Sequence, residues 1–147
     1  MPKHVCESDA HGSQIAWYEW WPAYWTDFDG ISFSPGDTVT ASVIVDTPTS
    51  GVAVITNETK NQTVSQYITS TYPLCQQDAE WIVEDFDLGG EMVPFADFGT
   101  VTFTSATAQR SGLPEEGPQN AKIYDIIQDE VLTSVSIDGS SVTVTYL

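Results

Sequence analysis

Positive charge is scarce in this sequence. Its 147 residues include four cations (Lys3, Lys60, Arg110 and Lys122) against 21 acidic residues, a formal net charge of -17 at pH 7. So acidic a chain lacks the basic footprint that nucleic acid requires, and an anionic membrane surface repels it. Metal-binding side chains are scarce too. The two histidines, His4 and His11, and the two cysteines, Cys6 and Cys75, form no CxxC or His cluster, which argues against zinc. No metal and no cofactor is expected. No apolar run is long enough to span a bilayer, and the opening MPKHVCESDA lacks the apolar stretch of a secretion leader.

The shortage of cations leaves many carboxylates to repel one another at neutral pH. Below about pH 4 most would be protonated and the repulsion would fade. The charge therefore points to adaptation to acid, although a well-solvated surface explains it as well. Two sequons, Asn57-Glu58-Thr59 and Asn61-Gln62-Thr63, make Asn57 and Asn61 glycosylation candidates and agree with secretion. In a secreted protein, Cys6 and Cys75 read better as a disulfide than as metal ligands.

The length suffices for one domain with a real core. Threonine and valine are abundant, and polar–apolar alternation predicts strands at 37–46, 51–57, 62–70, 79–86, 99–106, 130–138 and 141–147. Turn chemistry separates them, as in Ser34-Pro35-Gly36-Asp37 and Gly89-Gly90, and Asp138-Gly139 marks a hairpin. AKIYDIIQDE (121–130) fits a short helix or a strand equally, and SGLPEEGPQN (111–120) reads as an exposed loop. Many short strands with turns between them predict an antiparallel β-sandwich.

Two stretches stand out. In AEWIVEDF (79–86), a strand would place Glu80, Ile82 and Glu84 on one face and Trp81, Val83 and Asp85 on the other. The first face lines a groove or meets solvent. Four residues of strand span roughly 13 Å, too far for Glu80 and Glu84 to share a proton and beyond the ~5–9.5 Å used by paired glycosidase acids. A catalytic partner for either glutamate must come from another strand. The second stretch, AWYEWWPAYWTDF (16–28), holds Trp17, Trp20, Trp21 and Trp25. Alternation sets Trp17, Glu19 and Trp21 on one face, which is either a binding surface or part of the core.

WYEWWP with YWTDF, then AEWIVEDF, PFADFGTVTFT and the closing VLTSVSIDGSSVTVTYL together resemble the glutamic peptidases, or eqolisins, over about residues 6–147. The resemblance implies a secreted, acid-acting, pepstatin-resistant endopeptidase built as a β-sandwich, with a Gln–Glu catalytic pair and a polypeptide substrate. It places the catalytic glutamate at Glu84, with Glu80 as the fallback. It also sets Trp17, Glu19 and Asp87 along the substrate groove, and it brings Cys6 and Cys75 near that groove as a pair. Asp87 is shorter than the glutamate expected there. An ordinary glutamate titrates near ~4.3, within the range where an acid enzyme needs its base. A neutral glutamine amide can hydrogen-bond a developing oxyanion at any pH.

The family's glutamine lies upstream of AWYEW, in a Gln-x-Gly strand, whereas MPKHVCESDAHG contains no glutamine. Gln14, three residues before Trp17, belongs to a different segment. The resemblance therefore implies the C-terminal two-thirds of such a peptidase: a truncated gene, a degenerate homologue or one chain of a processed protein. Missing strands would expose sheet edges and weaken the fold. The expected product is a monomer. Two other functions compete: a glycan-binding or glycan-cleaving sandwich that stacks sugars on Trp17, Trp21 and Trp25, with Glu19 and Glu84 as possible acids, and a non-catalytic descendant that binds peptides or inhibits active relatives.

Overall fold

The computed structural model describes the backbone of residues 2–8, 14–85, 87, 88 and 90–147, and the side chains of 14–85 and 90–147. The strands run in the order β1 (Pro2–Ser8), β2 (Gln14–Trp20), β3 (Thr26–Asp27), β4 (Val39–Thr47), β5 (Ser50–Asn57), β6 (Gln62–Thr69), β7 (Asp87–Leu88) and β8 (Glu91–Met92). They continue with β9 (Thr100–Phe103), β10 (Ala108–Gln109), β11 (Glu115–Glu116), β12 (Thr133–Asp138) and β13 (Ser141–Tyr146). Every pairing among them is antiparallel. One 3-10 turn, Pro118–Asn120, is the only helical element among the described residues. The sequence reading expects a single domain over 1–147. The described contacts of the chain group into two compact units, Met1–Asp78 and Ala79–Leu147.

The first unit holds two three-stranded sheets, β1-β2-β3 and β4-β5-β6. The second sheet is a meander whose central strand alternates as its sequence requires: Ala53, Ile55 and Asn57 are buried, while Val52, Val54 and Thr56 are half-covered. β4 and β5 meet through a two-residue turn, with Thr47 opposite Ser50 and a bulge between Val45 and Thr47. Gly51 sits beside that bulge. A Cβ there would come within 2.6 Å of the Ile44 carbonyl oxygen, so only glycine lets the two backbones approach so closely.

A polar clasp closes the far end of this sheet. The fully buried Asn57 donates from Nδ2 to Asp37 Oδ2 at 2.6 Å and to the Ser32 carbonyl at 2.9 Å, and its Oδ1 accepts from Lys60 N at 3.0 Å. Lys60 Nζ pairs with Asp37 Oδ2 at 3.2 Å and donates to Ser34 Oγ at 2.8 Å. The Asn57 amide holds the Asp37 carboxyl below its ordinary value, helped by the Ser34 N–H and by Lys60. This corrects the reading of Asn57 as a glycan acceptor. Its amide nitrogen is buried and doubly bonded, and the sequon's Thr59 Oγ1 accepts from Thr38 N at 2.9 Å. Asn61, exposed in the β5–β6 turn at φ 52°, remains an accessible sequon.

The second unit holds the sheet β12-β13-β9 and the pairs β7-β8 and β10-β11. The hairpin expected at Asp138-Gly139 is present. Asp138 pairs with Ser141 across a Gly139–Ser140 turn, and Gly139 takes the φ of 55° that such tight hairpins demand. Val142 and Val144 face inward with Ala106 and Leu132. Phe95, Phe98 and Tyr146 form an aromatic cluster with centroids 5.7 to 6.1 Å apart. Alternating residues of β9 and β13 bear threonines on one face, where Thr102 and Thr143 lie 3.2 Å apart through their hydroxyls.

Two expectations are corrected. Residues 79–85 form no strand, because alternation specifies faces but a ladder needs a partner. Residues 121–130 form neither helix nor strand. They make a loop closed by an isolated bridge between Ile127 and Val131. Cys6 lies within β1, and its side chain is outside the described residues. Cys75 is an exposed free thiol in an irregular segment, and the expected pairing with Cys6 involves a side chain outside the described residues.

Candidate active site

In the second unit the interest centres on residues 79–85. Their burial still alternates at first, with Glu80 and Ile82 exposed and Trp81 and Val83 half-buried. The pattern then ends, and Glu84 and Asp85 are both half-buried. Two apolar anchors thus precede two adjacent carboxylates that are partly withdrawn from solvent. Glu80, the fallback, is solvated. Asp87 lies on β7 opposite Met92, and its side chain is outside the described residues.

The structure adds a residue that the sequence did not reveal. Gln128 Nε2 donates to Asp85 Oδ2 at 3.2 Å, with Oδ1 at 3.5 Å. Forty-three positions separate the two residues, and no motif in 121–130 links that loop to Glu84, so sequence reasoning had no signal for the contact. Among the described residues no group of His, Cys, Asp and Glu is arranged to hold a metal ion.

In the first unit β2 carries the aromatic surface. Alternate residues turn inward: Ala16 and Trp20 are buried, and the Trp20 indole N–H donates to the Tyr72 carbonyl at 2.9 Å. Tyr18, on the same side, meets Phe28 edge-on at 4.9 Å. Trp17 and Glu19 occupy the opposite, half-buried side. β2 ends at Trp20, and a turn closed by Ala23 N donating to the Trp20 carbonyl leads to β3. That turn leaves Trp21 and Trp25 more than half exposed and Tyr24 94% exposed. Trp17 and Trp25 approach to 6.3 Å at an interplanar angle of 50°. Trp20 therefore lies in the core of this unit, Trp17 is half-buried, and Trp21 and Trp25 are exposed. Gln14 opens β2 and is half-buried.

The arrangement offers partly withdrawn carboxylates in one unit and an accessible aromatic surface in the other, without a metal cluster among the described residues. Comparison with known proteins follows the same line. Aspergillopepsin-2 of Aspergillus niger is 46% identical over 145 residues, which cover 97% of this chain and 51% of that protein. Scytalidopepsin B of Scytalidium lignicola is 36% identical over 147 residues, 92% of this chain and 56% of the relative. This chain thus spans about half the length of the curated relatives it matches. The crystal structure of aspergilloglutamic peptidase from Aspergillus niger matches with a TM-score of 0.87 at 46% identity, covering 97% of this chain and 85% of that one. Scytalido-glutamic peptidase, solved with a transition state analog inhibitor, matches with a TM-score of 0.86 at 36% identity over 93% and 71% of the two chains. The likeness bears out the antiparallel β-sandwich class expected from the sequence. The Peptidase A4 profile matches residues 4–146, and the chain belongs to the Peptidase A4 family.

Proposed function

We propose that this chain is an acid-acting endopeptidase of the glutamic type, with Glu84 as the carboxylate that handles water. One observation supports this most: Glu84, which the resemblance of IVEDF marks for the catalytic role, is partly withdrawn from solvent, whereas Glu80 is exposed. In such a reaction the ionised carboxylate takes a proton from water as the water oxygen bonds to the substrate carbonyl carbon. The carboxylic acid then returns that proton to the amine nitrogen as the C–N bond breaks. Trp17 and Glu19 on β2 would contact the polypeptide, and Asp87 would shape a subsite. A secreted location fits this reading, and Asn61 is its accessible glycosylation candidate.

The segment MPKHVCESDAHG carries no glutamine for the amide half of the pair, so this chain's own hydrolytic capacity is the critical test. The purified chain is incubated with an unfolded protein at about pH 3, within reach of a carboxylate's ordinary titration, with pepstatin present. Cleavage that persists with pepstatin and disappears in Glu84→Gln is the expected result. A folded chain that cleaves nothing would reject the peptidase activity. Binding of soluble glycans through Trp17 and Trp25 would instead favour a sugar-binding surface.

A further inference from the structure

We infer that Gln128 is a positioning residue for the Glu84 carboxylate, acting through Asp85; this rests on reading Glu84 as the water-handling group. The Gln128 amide donates to the carboxylate of Asp85, the next residue after Glu84, at 3.2 Å. The loop that presents it is braced at its base. Ile126 N donates to Thr133 Oγ1 at 2.8 Å, and Leu132 N donates to the Ile126 carbonyl at 2.8 Å. Within the loop, Gln128 N donates to the Glu130 carbonyl at 3.0 Å, and Ile127 bridges Val131. Thr133 and Leu132 are buried, so this brace is anchored in the core of the second unit. The segment it holds has no sheet of its own, since residues 79–85 are irregular. Adjacent Cα atoms are only ~3.8 Å apart, so a clamp on Asp85 limits how far Glu84 can swing.

The chemistry of the clamp suits acid. The carboxylates flanking the contact in sequence are Glu80, Glu84 and Asp87 on one segment and Asp125, Asp129 and Glu130 on the other, with Tyr124 and the single cation Lys122 further along the second. A lysine at 128 would grip Asp85 only while Asp85 is ionised. An amide N–H can donate to a carboxylate and, more weakly, to the carbonyl oxygen of a protonated acid. The Gln128 contact therefore does not require a charge on its acceptor, as a charged clamp would.

Steady-state kinetics of the whole chain between about pH 2.5 and 5, across the ordinary carboxylate range, test this with a peptide substrate and pepstatin present. Gln128→Ala should lower kcat by about tenfold to a hundredfold, as small misplacements of catalytic groups do, and leave KM within about twofold. Unchanged kcat and pH profile in Gln128→Ala, beside an inactive Glu84→Gln, would overturn the inference and leave Glu84's role intact. Should the wild-type chain cleave nothing, the peptidase reading fails separately. The positioning is then read by carboxyl 13C NMR: Gln128→Ala should move both the Glu84 and Asp85 resonances, and the control Gln109→Ala neither. An unmoved Glu84 resonance would overturn it.

Discussion

Asn57 shows how much a single buried amide can organise. Its side chain joins the 32–37 turn to the β5–β6 turn, with every polar atom engaged. Truncation would leave the Asp37 carboxylate and the Lys60 N–H without their partner in a buried setting. Asn57→Ala should therefore destabilise the chain by about 2–4 kcal/mol, measured by urea unfolding. Asn57→Asp would set a second carboxylate against Asp37 and should be more harmful at pH 7 than at pH 3. At this scale the sequence was partly misleading. Asn57 and Asn61 carry the same sequon signature, and only burial distinguishes the structural asparagine from the exposed one.

At the scale of elements, β4 is the exposed member of its sheet. It lies at one edge of β4-β5-β6, all nine of its residues are exposed, and Val39, Val43, Ile44 and Val45 are among them. From Val39 to Val45 it carries no charge and no proline, the usual protections of an open edge. Light scattering should show concentration-dependent association of the wild-type chain. Ile44→Lys should suppress it while changing stability by no more than about 0.5 kcal/mol, as exposed substitutions do. Equal association in both would show that β4 is not the responsible edge. Of the strands legible in the sequence, β4, β5, β6, β12 and β13 pair with hairpin partners next to them in the chain, whereas β9 was legible although it pairs with the distant β13. The segment 79–85 has equally clear alternation, yet it was misread. Its neighbours in sequence provide no ladder, and long-range hydrogen bonds leave no local periodicity.

Across the whole molecule two pH effects oppose each other. The net charge of -17 destabilises the compact state at neutral pH, so acidification toward about pH 4 should raise stability as carboxylates protonate. Asp37 works the other way. Its folded-state pKa is depressed, so its contribution is present above the unfolded value near ~3.9 and is lost as pH falls through the lower folded value. The thermal midpoint should therefore rise from pH 7 to about pH 4 and fall below the ordinary carboxylate range. Asp37→Asn should flatten the acid-side fall. A midpoint that keeps rising in the wild type would show that the Asp37 clasp does not limit acid stability.

The sequence alone determined the all-β class, the hairpin at Asp138-Gly139, the acidity and the family, because local alternation, turn chemistry and ordered motifs are properties of contiguous residues. Only the tertiary structure decided that Asn57 is buried, that residues 79–85 lack a ladder, that Trp20 turns inward while Trp25 stays accessible, and that Gln128 reaches Asp85. Each of those depends on groups brought together from distant positions, where burial and hydrogen-bond partners are set by packing rather than by the neighbouring residues.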